Sequence, residues 1–108
     1  MFQHLNWDQV HPDRVSDLQT KQVIHTTNMS LVRLLSKKGA TAPLHNHVQE
    51  QAVFLISGHF RFDVGGKAVE LVPGETLTIS SNVPHSAEAL ADSETLEVFS
   101  PPREDWKK

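Results

Sequence analysis

From Gln22 onward apolar and polar positions alternate in short runs separated by turn residues, and no stretch repeats at the spacing of an amphipathic helix. The runs are Val23 to Thr27, Ser30 to Ser36, Pro43 to His47, Ala52 to Ile56, His59 to Val64, Lys67 to Val72, Thr76 to Ile79, Ser86 to Leu90 and Thr95 to Ser100. Gly65-Gly66 stands between two alternating runs, where a two-residue hairpin turn needs positive φ at both central positions. Pro73-Gly74 marks a second turn. Many short antiparallel strands must bury one face and manage their edges. A double-sheet jelly roll does both, so the expected fold is an all-β jelly-roll barrel.

The run Ala52-Val53-Phe54-Leu55-Ile56 is apolar on both faces. One face meets the barrel core and the other needs a cover. Either a second copy of the chain, giving a homodimer, or the N-terminal segment around Trp7 could supply it.

With 108 residues and 38% hydrophobic content, the chain makes one domain, residues 1–108, with a single core. A formal charge of −3 with scattered lysines and arginines gives neither a nucleic-acid footprint nor a basic membrane patch, which points to a small-molecule partner. No apolar run is long enough to span a bilayer, and the first residues, MFQHLNWDQVHPDR, lack the plan of a signal peptide. The expected compartment is the cytoplasm, with which the absence of cysteine is compatible.

Chemistry enters with His45-x-His47-x3-Gln51 and, far downstream, His85. On one extended strand, residues at i, i+2 and i+6 share a face, so His45, His47 and Gln51 are expected to converge. Imidazole nitrogens with an amide oxygen suit a divalent transition metal, and a set without thiolates favours a centre with open positions. His4, His11, His25 and His59 have no partner at ligand spacing and read as surface or packing residues. Glu50, beside Gln51, falls on the opposite face by the same alternation.

These residues resemble the cupin family, whose first motif reads G-x5-H-x-H-x3,4-E-x6-G and whose second reads G-x5-P-x-G-x2-H-x3-N. The first is matched at Gly39, His45, His47 and Gly58, with Gln51 in place of glutamate. The second is matched at Gly74 and His85, with Ser80, Asn82 and Ala89 replacing proline, glycine and asparagine. The resemblance runs from about Met29 to Ser100 and implies a metal in the mouth of the barrel.

Gln51, with the segments His85 to Leu90 and Val98 to Asp105, is similar to the pectin-degradation cupins of the KdgF type. That resemblance implies conversion of 4,5-unsaturated monouronates to their linear keto form. It implies a metal (nickel, zinc, iron or manganese) on His45, His47, Gln51 and His85, and active-site roles for Glu97, Phe99 and Arg103. Glu97 stands where the family has aspartate. Arg103 would hold the sugar-acid carboxylate through two parallel hydrogen bonds, over a mouth reached by the stiff Pro101-Pro102 step. Arg33 and Arg61 are lesser candidates for that role. Four neutral ligands leave the metal's charge uncompensated, which suits Lewis-acid chemistry without redox change. Two other readings stay open: an iron-dependent cupin dioxygenase, and a non-catalytic cupin that binds a sugar acid or a metal.

Overall fold

A computed structural model describes residues 1–108 and contains ten strands. They are β1 (Asp13–Ser16), β2 (Gln19–His25), β3 (Ser30–Ser36), β4 (Thr41–His45), β5 (Glu50–Ser57), β6 (Phe60–Val64), β7 (Lys67–Leu71), β8 (Thr76–Ile79), β9 (His85–Ala89) and β10 (Ser93–Ser100). Six form one sheet in the order β1-β2-β3-β10-β5-β8, and four form the other in the order β4-β9-β6-β7. Every pairing is antiparallel, and the two sheets make the expected jelly roll. No helix is long and apolar enough to cross a membrane.

Turn chemistry is where sequence and structure agree most closely. Val64 pairs with Lys67 across Gly65 (φ 56°) and Gly66 (φ 85°), the double positive φ of a tight hairpin. The turn at Pro73-Gly74 is closed by the Glu75 amide donating to the Val72 carbonyl at 3.1 Å.

Three differences from the expected strands have physical causes. β1 carries three exposed residues of four, so no apolar face announces it. β2 starts at Gln19, four residues earlier than expected, because Gln19 and Gln22 are buried polar residues that hydrogen bonds make tolerable. Gln19 Nε2 donates to Ser36 Oγ at 2.9 Å, and Gln22 Nε2 donates to the carbonyls of Trp7 at 2.7 Å and Val10 at 2.9 Å. The third concerns β4, which ends at His45 and leaves His47 in the loop before β5. Pro43 sits in β4 without harm, since β4 is an edge strand and its missing N–H is not needed there.

The core joins the sheets through Val53, Leu55 and Ile79 on one side and Phe60, Phe62, Leu71 and Ala89 on the other, with Ala40 between. Inward-facing residues change character along each central strand. β5 runs from Gln51 to Val53 and Leu55, and β10 runs back from Ser93 and Thr95 to Glu97 and Phe99. On the outer face, the N-terminal segment is tied to β2 through Gln22, while Phe54, Ile56 and Val98 stay exposed. The N-terminal cover considered for the β5 run therefore lies elsewhere on the sheet.

Gly58, at the β5–β6 corner, has φ +96°, and a Cβ there would lie 2.2 Å from Ser93 Oγ and 2.4 Å from the Asp92 carbonyl oxygen. Gly74 has nearly the same φ, +93°, and open space around it. Gly74→Ala should cost about 1–3 kcal/mol of backbone strain, and Gly58→Ala a further 1–3 kcal/mol or so of overpacking. Urea denaturation of the two variants checks this; equal midpoints would contradict it.

Candidate metal centre

His45 ends β4, His47 lies in the loop that carries the chain from the small sheet to the large one, Gln51 is on β5, and His85 begins β9. Convergence of the first three is therefore not the work of one continuous strand, as the alternation reading expected. β4 and β5 belong to different sheets, and the loop turns His47 back toward its neighbours. Two hydrogen bonds fix that loop: His47 Nδ1 to the Gln49 carbonyl at 3.0 Å, and the Asn82 amide to the His47 carbonyl at 2.8 Å. Asn82 has φ 64°, a conformation asparagine tolerates better than most residues, at the position where the cupin motif has glycine.

The three imidazoles could hold a metal: one ligand atom from each lies within 4.8 Å of the others. Their ring centroids are separated by 5.5 Å (His45 to His47), 4.3 Å (His45 to His85) and 4.9 Å (His47 to His85). Each Nδ1 meets a backbone carbonyl: Pro43 for His45 at 2.6 Å, Gln49 for His47 at 3.0 Å and Val83 for His85 at 2.9 Å. A carbonyl can only accept, so each Nδ1 carries the proton and each Nε2 keeps its lone pair. His85 Nε2 is buried with no hydrogen-bond partner. Burial also pushes the pKa values of His47 and His85 down, which favours the neutral ring that a metal requires. An orphaned buried lone pair beside two more imidazoles is what a bound cation would satisfy, so these residues fit the metal.

Gln51 is buried and oriented by its neighbours. Its Nε2 donates to Glu97 Oε1 at 2.7 Å, which turns its Oε1 toward His47 Nε2 at 3.2 Å. Two acceptors thus face one another with no proton between them, again a place for a cation. Glu50 is exposed, as the alternation along β5 implies.

Glu97 sits on β10 between Val32 of β3 and Val53 of β5, and it is buried. That burial pushes its pKa above the usual glutamate range, against the opposing pull of hydrogen bonds from Thr95 and Gln51 and of the Arg103 charge. Thr95 Oγ1 donates to Glu97 Oε2 at 2.9 Å, so each carboxylate oxygen has one protein partner and capacity to spare.

His45, Gln51, His85, Glu97, Phe99 and Arg103 line one cavity of about 170 Å³. It is smaller than the roughly 300–1,000 Å³ of drug-sized sites, so its occupant is small. The buried Phe99 ring lies 5.6 Å from His47. The C-terminal tail folds over the mouth, as the two prolines suggest: Gln49 Nε2 donates to the Pro102 carbonyl at 3.1 Å and the Arg103 amide to Ser30 Oγ at 2.9 Å. Asp105 grips the Arg103 guanidinium from one edge, Nε to Oδ1 at 3.0 Å and Nη2 to Oδ2 at 2.9 Å. The opposite edge, Nη1 with the second Nη2 hydrogen, keeps its donors. A larger cleft of about 520 Å³ at the far end of the six-stranded sheet is open and has no histidine among its lining residues.

Lys21 and Trp106 also line the cavity, and neither is singled out by the sequence reading. The only signal for Lys21 is strand parity with Val23, visible once β2 is known to begin at Gln19. The secondary candidates fall outside: Arg33 binds Glu94 at 2.9 Å and Gln22 at 3.0 Å on the outer face, and Arg61 pairs with Asp63 at 3.3 Å. His59, read as a surface or packing residue, pairs with Glu70 at 3.1 Å.

Comparison with known proteins agrees with this fold. The family model for the Cupin domain matches residues 32–100. The chain belongs to the cupin family. The cupin is 28% identical over 82 residues to a protein of Streptomyces coelicolor described as uncharacterized, a match covering 75% of this chain and 78% of that one. Among solved structures it resembles KdgF from Halomonas sp., with a TM-score of 0.92, 24% identity and coverage of 99% of this chain and 100% of that one. It also resembles an RmlC-like cupin from Shewanella frigidimarina, with a TM-score of 0.90, 23% identity and coverage of 98% and 97%. At these identities the two structures speak for the fold.

One divalent ion per chain should raise the melting temperature of chelator-treated protein, because ligands that bind only the folded state stabilise it. His85→Ala should lose that rise, whereas Gln51→Ala should keep a smaller one. A thermal-shift series with nickel, zinc, manganese and iron(II) checks this, and an undiminished rise in His85→Ala would contradict it.

Proposed function

We propose that this cupin opens the ring of 4,5-unsaturated monouronates to give their linear keto form, a net isomerisation without redox change. The observation that carries the reading is the Gln51–Glu97 pair, in which a neutral metal-facing amide is hydrogen-bonded at 2.7 Å to a buried carboxyl group lining the cavity. The fold likeness to KdgF supports it. A metal held by His45, His47, His85 and Gln51 would supply Lewis-acid polarisation of a substrate oxygen.

The chain's own residues account for the remaining steps. Glu97 takes the proton from the hydroxyl on the hemiacetal carbon as the carbonyl forms there and the bond to the ring oxygen breaks. The same carboxyl returns a proton to the far carbon of the enol, so no atom is gained or lost. Its raised pKa suits a group that must both accept and release that proton. Phe99 closes the apolar wall beside His47 and keeps water from the reacting end. Arg103 offers its free edge to the uronate carboxylate and is held in place by Asp105 and by stacking on Trp106, 3.9 Å from the ring centroid.

An NMR time course of a 4,5-unsaturated galacturonate, with and without chelator, tests the reading. Chelator-sensitive loss of the ring form, faster than the spontaneous reaction, is expected; no acceleration by metal-loaded protein would refute it. Glu97→Gln should lower kcat at least about 100-fold with metal content unchanged. An unchanged rate would remove Glu97 from the reaction. Arg103→Ala should weaken turnover of uronates without loss of fold, as read by circular dichroism and KM.

A further inference from the structure

Lys21 lies on the inward face of β2, opposite Asp13 of β1 and Leu34 of β3, and lines the cavity that holds the histidines. Its Nζ stands 3.7 Å above the centroid of Trp106. Arg103 meets the same ring, its guanidinium carbon 3.9 Å from the Trp106 centroid. Two cations therefore contact one indole at the mouth.

The Lys21 ammonium makes no hydrogen bond or ion pair within the chain, although burial and the Arg103 charge both disfavour its charged form. The two carboxylates that could neutralise it are committed elsewhere, Asp13 to Lys108 and Asp105 to Arg103. Asp13 and Asp105 favour its charge without bonding it, so a half-buried ammonium in direct contact with an aromatic face still gains from an anion that meets it. The free Nη1/Nη2 edge of Arg103 belongs to the same cavity and has the same need.

We propose that Lys21 is a substrate-binding residue which, together with the free edge of Arg103, receives the carboxylate of a sugar acid, with Trp106 holding the two cations at the mouth. This rests on the uronate reading and extends it, because the cavity then discriminates by charge. An anionic sugar is anchored at Lys21 and the free donors of Arg103 with its oxygens toward the histidines, whereas an uncharged sugar of the same shape leaves the Lys21 ammonium without an anion.

The test uses the metal-loaded full chain and Lys21→Met, which keeps a long unbranched stem and removes the charge. Calorimetric titration with galacturonate should show a loss of affinity of about 10- to 100-fold in Lys21→Met, with partial recovery in Lys21→Arg. Galactose should bind both proteins equally weakly. In turnover of the unsaturated uronate, KM should rise by the same factor with kcat unchanged. Wild-type affinity for galacturonate in Lys21→Met, or a wild type that binds galacturonate no better than galactose, would overturn the proposal. Absence of turnover together with Lys21-dependent galacturonate binding would refute the ring-opening reaction while supporting the anion site.

Discussion

Three hydrogen bonds from histidine Nδ1 atoms to backbone carbonyls are the constraint on which the site depends. The acceptors are Pro43, Gln49 and Val83, each within two residues of its histidine, so the local chain and not the distant fold selects each tautomer. With every Nδ1 protonated, each Nε2 keeps its lone pair; one ligand atom from each ring lies within 4.8 Å of the others, and the Nε2 of His85 is buried without a partner. A protein interior does not leave such a group unsatisfied without a reason. The reason compatible with all three rings is a cation.

Gln51 and Glu97 form the second layer of that constraint. A glutamate at position 51, the residue of the usual cupin motif, would put a second carboxylate within hydrogen-bond distance of Glu97 in the space between Val32 and Val53. Two carboxylates so placed cannot both ionise. Glutamine removes the conflict: its amide nitrogen donates to Glu97, and its oxygen faces His47 Nε2, where a cation would satisfy both. The departure from the motif at position 51 and the acidic residue at 97 therefore make one arrangement, although 46 residues separate them.

The fold was legible wherever turn chemistry and alternation coincide, as at Gly65-Gly66 and in β3 and β8, whose limits match the expected runs. It was illegible where polar residues are buried. Gln19 and Gln22 hide the first half of β2, and with it Lys21, because their amides are satisfied by partners at Ser36, Trp7 and Val10 that no local pattern reveals. At the site, spacing marks His45, His47, Gln51 and His85 as a candidate cluster, but alternation along one strand does not bring them together. A loop between two sheets brings His47 round, pinned by Asn82 from the second motif. Trp106 went unread because a short polar tail gives no sign that its tip folds back against Phe99, ring centroids 5.2 Å apart.

The proposed metal centre has three imidazoles and one amide oxygen. X-ray absorption spectroscopy of protein loaded with one equivalent of nickel reads that shell directly, since imidazole rings add a countable multiple-scattering signature. The prediction is three imidazoles per metal, with the remaining donors light oxygen atoms. A shell with fewer than three imidazoles would contradict the account.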